Sequence, residues 1–367
     1  MSTCTIDTAY MKPGMRIGRT VLSDKGQVLA PSGTSLTAAL IRTILDANIL
    51  HLVIQDDPGL KLPPEARVDE TFGGMKTDAA MATTEGWISM ARHVMLECIR
   101  EKKLDIDNIK SLAEACMGRL KTESPYAALV AGDPNGNFLF HHTHNVCVLG
   151  VAAAQGLGLP AAAVMDIFVG AIFHDVGMLQ VPEHMWVSPK PLTRMFRSEI
   201  DKHPAFGCSA LRRTEGASET LVKLVMDHHE RLDGSGYPDR KVAADLDLPS
   251  RIVAAADVYA ALLMPRPWRP PFSPDKAAKE MLAQRDKFDQ KVVGRLVQII
   301  GIFPVGCTVK LSDGRVGVVS ESRPKDLLHP LVTVAAKNRP PQPVDLAASA
   351  PLAVLEILST PHARTPG

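Results

Sequence analysis

The sequence predicts a mainly α protein: an all-helical core, preceded by a small α/β unit and followed by a small β segment. Three observations predict it. From Trp87 to about Ile300 apolar residues recur at helical spacing, after Ile300 the pattern shifts to short alternating runs, and before residue 58 short apolar runs flank one helical stretch. A chain of 367 residues suggests two or three domains at about 150 residues each, and it can bury a full core without disulfide or metal staples.

In order along the chain, residues 1–57 read as the α/β unit. Met15–Thr20 and Gln27–Ala30 have strand character around a Ser23-Asp24-Lys25-Gly26 turn. Leu36, Leu40, Ile41, Ile44 and Leu45 mark a helix over 36–48, and Leu50–Ile54 a further strand. Residues 58–85, with Pro58, Pro63, Pro64 and Gly73-Gly74, read as a linker. The helical domain occupies 86–302. Helices are predicted over 87–103, 108–121, 141–157, 161–174, 193–213, 219–229, 249–263 and 273–285, with Pro160 and Pro249 at helix starts. Leu232–Leu248 is a Gly-, Asp- and Pro-rich loop. Residues 303–358 form a β-rich extension: a hairpin of 308–311 and 316–319 about Ser312-Asp313-Gly314, strands over 331–335 and 352–357, and a loop at Pro340-Pro341-Gln342-Pro343. Residues 359–367 read as a tail.

Charge and cysteine content exclude several functions. Lys plus Arg (41) nearly cancels Asp plus Glu (40), so no long-range attraction to duplex nucleic acid is expected. The six cysteines include no C-x-x-C pair, which argues against a zinc ribbon or a redox pair. The apolar stretch 146–173 is broken by Gln155, Gly156, Gly158, Pro160 and Asp166, so no membrane span is expected. Residues 1–14 lack signal-peptide architecture, and a cytoplasmic location is the expectation.

The chemistry lies in the histidines and aspartates of the helical region. His142, His174-Asp175, His203, His228-His229 and Asp257 sit at or near helix ends beside apolar runs such as Ala171-Ile172-Phe173 and Val253–Ala256. Buried without partners, such groups would cost several kcal/mol. Metal binding explains them, since imidazole and carboxylate together suit Fe, Mn, Zn, Co or Ni. Seven ligands exceed one tetrahedral ion and suffice for two, with Asp175 as the natural bridge. Two ions about 3.5–4 Å apart suit phosphoryl transfer. His141 and His144 read as neighbours of a ligand; His51, His93, His184, His329 and His362 read as packing or surface residues.

H-D-V-G-M at 174–178, His203-Pro204, H-H-E-R-L-D-G-S-G-Y-P at 228–238 and R-I-V-A-A-A-D-V-Y at 251–259 together resemble the HD-GYP domain of the HD metal-dependent phosphohydrolases. The resemblance covers roughly 125–303, and segments 11–18 and 303–319 are similar to those that flank such domains. It implies an HD-type fold and hydrolysis of cyclic di-GMP to pGpG or GMP at a binuclear centre, with a bridging hydroxide as nucleophile. It implies two divalent transition metals, iron or manganese foremost, with zinc, nickel or cobalt as alternatives. Their ligands would be His142, His174, Asp175, His203, His228, His229 and Asp257, with Asp175 bridging. Gly236, Tyr237 and Pro238 would line the substrate cleft and serve for docking a diguanylate cyclase (GGDEF) domain. Arg266 and Arg269 would contact substrate phosphates, and Asp233 is the candidate general acid. Asp233 and Glu230 both also fit as residues that order the loop. A homodimer is compatible with the pattern.

Three places depart from it. Met178 stands where the family carries lysine, Phe138 where some members carry a third-metal glutamate, and Ala260–Met264 where polar residues are usual. Two metals are therefore expected, not three. Three functions fit at this stage: a cyclic di-GMP phosphodiesterase, a weakly active or inactive regulator that binds the nucleotide or a diguanylate cyclase, and a phosphohydrolase of another nucleotide.

Overall fold

The computed structural model describes residues 3–18, 20–22, 28–46, 49, 51–55, 67–68, 84–100, 103–131, 138–182, 185–186, 193–266, 268–336, 339–349 and 351–361. The expected turn at 23–26, most of the expected linker, His184 and His362 lie outside them. The chain divides into two compact units, Met1–His93 and Val94–Gly367.

In the first unit, β1 (Thr3–Asp7) is the middle strand of an antiparallel sheet, between β4 (His51–Gln55) and β5 (Arg67–Val68). Ile6 lies opposite Leu52 and opposite Arg67. Strands β2 (Val21–Leu22) and β3 (Val28–Ala30) pair separately. Helix α1 (Ala38–Asp46) turns Ile44 into a core with Ile6, Ile17, Leu36, Leu52 and Ile54. The expected strand over 15–20 is reduced to single bridges, Arg16 to Ser35 and Ile17 to Ile54, while β1 and β5 were not anticipated. Part of the expected linker therefore belongs to this sheet.

Helix α2 (Thr84–Ile99) runs across the division between the units. In the second unit, α3 (Ile106–Thr122) and the short α4 (Pro125–Ala128) lead to α5 (Phe138–Gly156). Helix α5 is buried almost all round, its apolar run Val146–Ala154 facing neighbours on every side. Two of its buried polar residues bond to backbone: Asn145 binds the backbone N–H and carbonyl of Val130, and Thr143 donates to the Leu139 carbonyl. Helices α6 (Ala161–Phe173), α10 (Leu248–Leu263) and α12 (Gln290–Ile300) pack against α5. Residues Ala161–Gln180 are long and apolar enough to cross a membrane. They serve instead as a core element, burying Ile167, Phe168, Ile172 and Phe173.

The single helix expected over 193–213 is two helices, α7 (Arg194–Ile200) and α8 (His203–Arg213). Pro204 lies in the first turn of α8, and a proline is best tolerated where a helix begins. Helix α9 (Glu219–Asp227) follows with Ser218 as its N-cap, and α11 (Pro274–Ala283) begins on a proline.

The C-terminal sheet is antiparallel in the order β10-β6-β7-β8-β9, from β6 (Thr308–Leu311), β7 (Val316–Glu321), β8 (Leu331–Ala336), β9 (Arg339–Asp345) and β10 (Val354–Ser359). Burial alternates along β6 and β7, which places Val309, Leu311 and Val319 inward. The segment read as a loop at 340–343 is in fact strand β9, with Pro343 opposite Thr333 and Gln342 opposite Val334. Proline cannot complete a central ladder, but β9 lies at the edge, where one side needs no donors.

Candidate metal centre

Four helix termini and the middle of a fifth helix converge in the second unit. His142 projects from the first turns of α5, and Asp257 from the middle of α10. His174 ends α6 and Asp175 starts a 3-10 turn, Val176–Gln180. His203 opens α8, while His228 and His229 follow α9. His142, His174, His203 and His228 are buried.

Gly177 allows this convergence. A Cβ there would collide with the carbonyl oxygen of His203 and the backbone N of Gly207, so only glycine lets the 3-10 turn lie against α8. Asp175 and His203 are thereby brought to 3.1 Å, Oδ1 to Nε2.

The side chains form two groups: Asp175, His203, His228 and His229, and His142, His174 and Asp257. Asp175 belongs to both by distance. Its Oδ1 is 3.1 Å from His203 Nε2 and 3.7 Å from His228 Nε2, while its Oδ2 is 3.3 Å from His174 Nε2 and 3.9 Å from His142 Nε2. Asp257 spans the other side, with Oδ1 2.9 Å from His142 Nε2 and Oδ2 3.5 Å from His229 Nδ1. All seven residues singled out as ligands thus lie together.

Three imidazoles are oriented in the same way. The Nδ1–H groups of His174, His203 and His228 donate to the carbonyls of Ala171, Ile200 and Val225, each at 2.7 Å. Nε2 is left with its lone pair toward the cluster, an arrangement typical of metal-binding histidine. The Nε2 atoms of His203 and His228 then stand 3.1 Å apart. In neutral rings both are acceptors, and two acceptors at that distance repel unless a shared proton or a metal cation lies between or beside them. The mixed nitrogen and oxygen donor set fits a divalent transition metal.

The electrostatics agree for His142, His228 and His229, while Asp175 holds His174 toward its charged form. Burial disfavours the charged forms of His142, His228 and His229 and holds all three below the ordinary imidazole value, which keeps them neutral and ready to bind metal. Burial also opposes the charged form of His174, but Asp175 beside it carries its pKa up to about 9. Burial alone would raise Asp175 and Asp257. The histidines around them outweigh it, so both carboxyls stay well below the usual carboxylate range.

The remaining sequence-predicted residues fall in different places. Tyr237 packs its ring on His229, 4.7 Å between centroids, with the Arg197 guanidinium 5.6 Å from its centroid. Gly236 is tucked where a Cβ would meet the backbone of His229, Glu230 and Arg231. Pro238 is exposed next to them. The Arg266 guanidinium lies 4.0 Å from the Phe138 ring, and Asp257 and Asp175 favour its charge against a burial that lowers its pKa to about 10. Arg269 is used differently: its guanidinium donates to the carbonyls of Ala261, Leu262 and Pro270 at 2.8–3.3 Å and closes the C-terminus of α10. Asp233 is exposed and accepts from the backbone N–H and hydroxyl of Ser235, which holds its carboxyl below the ordinary value. Its described hydrogen bonds are those of a residue that orders a turn. Met178 is buried in the 3-10 turn.

Glu230 orders its loop as read from the sequence, and sequence reasoning missed its companion Asp227. The buried carboxylate of Asp227 accepts from Lys223 at 2.7 Å and Lys241 at 2.6 Å, while Glu230 accepts from the backbone N–H groups of Asp239 and Lys241. Together they fasten the loop after His229 to α9. The lysine four residues before Asp227 was the available signal.

A family model described as an HD domain matches residues 135–292. A protein of Pseudomonas aeruginosa named cyclic di-GMP phosphodiesterase PA4108 is 28% identical over 83% of this chain and 78% of its own length. The cyclic di-GMP phosphodiesterase response regulator RpfG of Xanthomonas campestris is 32% identical over 55% of this chain. The chain spans 54% of that relative's length. A 3'3'-cGAMP-specific phosphodiesterase of Vibrio cholerae is 33% identical over 46% of the chain and 36% of the relative. Among solved structures, an HDG"Y"P protein of Bdellovibrio bacteriovorus, Bd1817, shares the fold with a TM-score of 0.51, covering 82% of this chain and 99% of its own at 16% identity.

Proposed function

We infer that this chain, which carries an HD domain over residues 135–292, is a metal-dependent phosphodiesterase that hydrolyses cyclic di-GMP to pGpG or GMP. The observation that carries the reading is Asp175, whose two oxygens face the two ligand groups, with the His203 and His228 nitrogens opposed at 3.1 Å. The named activities of the Pseudomonas and Xanthomonas relatives supply the substrate. Two ions are assigned, iron or manganese first: one with His142, His174 and Asp257, the other with His203, His228 and His229, and Asp175 shared. Such ions supply Lewis acidity toward the phosphate and lower the pKa of water.

The chain's own residues then have defined tasks. The three carbonyl-anchored imidazoles keep their Nε2 atoms directed inward. Arg266 makes no hydrogen bond through its guanidinium among the described residues, so its donors are available to a phosphodiester. Arg269 supports that turn, since Arg266 and Arg269 exchange backbone hydrogen bonds at 2.8 and 3.0 Å. The Gly236-Tyr237-Pro238 loop, braced by Glu230 and packed on His229, forms one wall of the cleft, and its exposed edge is the assigned docking face for a diguanylate cyclase. Buried free thiols at Cys98, Cys116, Cys147, Cys208 and Cys307 support a reducing, cytoplasmic setting.

The test is turnover of cyclic di-GMP, with 3'3'-cGAMP in parallel, by protein purified anaerobically, with metal content measured on the same sample. Turnover of cyclic di-GMP with about two metals per chain is expected. Preference for 3'3'-cGAMP would overturn the substrate, and full metal occupancy without turnover would overturn the enzyme.

A further inference from the structure

His142 differs from the carbonyl-anchored ligands. Its Nδ1 is buried and has no hydrogen-bond partner, so no backbone group fixes the rotation of its ring. What lies against it is Phe138, one turn earlier on α5. The two rings are 5.8 Å apart between centroids and only 11° from parallel. Phe138 also carries the Arg266 guanidinium at 4.0 Å. His229, the other ligand without a carbonyl anchor shown, likewise has an aromatic ring against it, that of Tyr237.

We propose that Phe138 is a positioning residue: its ring sets the rotation of His142 in place of the missing hydrogen bond and seats Arg266 beside the cluster. One side chain thereby couples the ion of the His142, His174 and Asp257 group to the guanidinium that meets substrate. The inference rests on the two-metal reading above. The physical basis is that ligand orientation set from outside the coordination shell governs metal affinity, by about 10–100-fold in comparable sites. Here flat contact performs that task. The guanidinium is attracted to the negative face of the same ring, which holds it without consuming its hydrogen-bond donors.

The test uses the full chain with Phe138→Leu, which keeps an apolar side chain and removes the ring, and Phe138→Tyr, which keeps the ring. Mn²⁺ binding is followed by competition with a fluorescent chelator, metal per chain by elemental analysis after dialysis, and folding by circular dichroism. Phe138→Leu is expected to weaken one of two Mn²⁺ ions by about tenfold or more, leaving about one per chain after dialysis, and to raise KM. Phe138→Tyr is expected to restore both. Arg266→Met, which leaves the ring in place, is expected to raise KM while binding Mn²⁺ as wild type does.

Wild-type Mn²⁺ affinity in Phe138→Leu overturns the proposal, as does failure of Phe138→Tyr to hold two ions or loss of metal in Arg266→Met. The last two arms decide the matter if Phe138→Leu does not fold. Wild-type protein that binds no Mn²⁺ defeats the two-metal reading and this proposal together. A wild type that binds two ions without hydrolysing cyclic di-GMP defeats the substrate alone, and the metal arms still apply.

Discussion

Asp175 is the residue on which the two ligand groups meet, so its loss is felt by both. Asp175→Ala is expected to abolish hydrolysis and to bring metal content from about two per chain to near none. Elemental analysis and turnover on one sample check it; two retained metals would remove Asp175 from the bridging position. The arginines separate by role. Arg266→Ala is expected to raise KM with metal content unchanged. Arg269→Ala removes two hydrogen bonds from the end of α10 and one from Pro270, and is expected to cost about 1–3 kcal/mol of stability, read by denaturant unfolding, before any effect on KM. Met178 contributes neither charge nor proton. Met178→Lys is expected to raise kcat if a cation belongs at that position, by about tenfold or more.

At the scale of elements, helix periodicity and ligand spacing were legible because both are written in local sequence. The histidine and aspartate positions at helix ends suffice to choose the residues that the fold collects. What local sequence does not carry is the use of the backbone: the carbonyls three residues before His174, His203 and His228 become anchors only once each helix end exists. Arg266 and Arg269 look alike in R-P-W-R, and only the position of the α10 carbonyls distinguishes them. The break between α7 and α8 was hidden by apolar spacing that continues through 193–213, although Pro204 marked it. Strand β1 alternates over Thr3–Asp7 but carries only Cys4 and Ile6 as apolar residues, a pattern too weak to mark a strand, and the prolines of β9 made a strand read as a loop.

Two predictions belong to these elements. Gly236→Ala places a methyl group against three backbone atoms and is expected to cost about 1–3 kcal/mol and loosen the loop over His229, measured by thermal unfolding. In the C-terminal sheet, Arg323 binds Asp345 through two bonds of 2.7 Å, which brings the carboxyl down to about 2. A carboxylate lowered by folding adds stability above its unfolded value, near 3.9, and loses it as pH falls toward 2. Acid unfolding of Asp345→Asn is expected to be flatter across that window and to meet the wild type below it.

For the whole molecule, the metal site draws on α5, α6, α8, α9 and α10 together, so ions that bind only the folded state stabilise the entire helical assembly of the second unit. At a free metal concentration 100 times Kd this amounts to about 2.7 kcal/mol. Chelator is therefore expected to lower the melting temperature of that unit by about 5–10 °C, and calorimetry with and without added Mn²⁺ reads it. The C-terminal sheet has its own safeguard. Strand β9 closes the C-terminal sheet with Pro340, Pro341 and Pro343. Those three residues offer no amide hydrogen, and since Pro340 and Pro341 are adjacent at least one missing donor falls on the open side, so a neighbouring chain meets an interrupted row of donors there. The prolines that obscured β9 in the sequence thus guard the folded protein against self-association at that border.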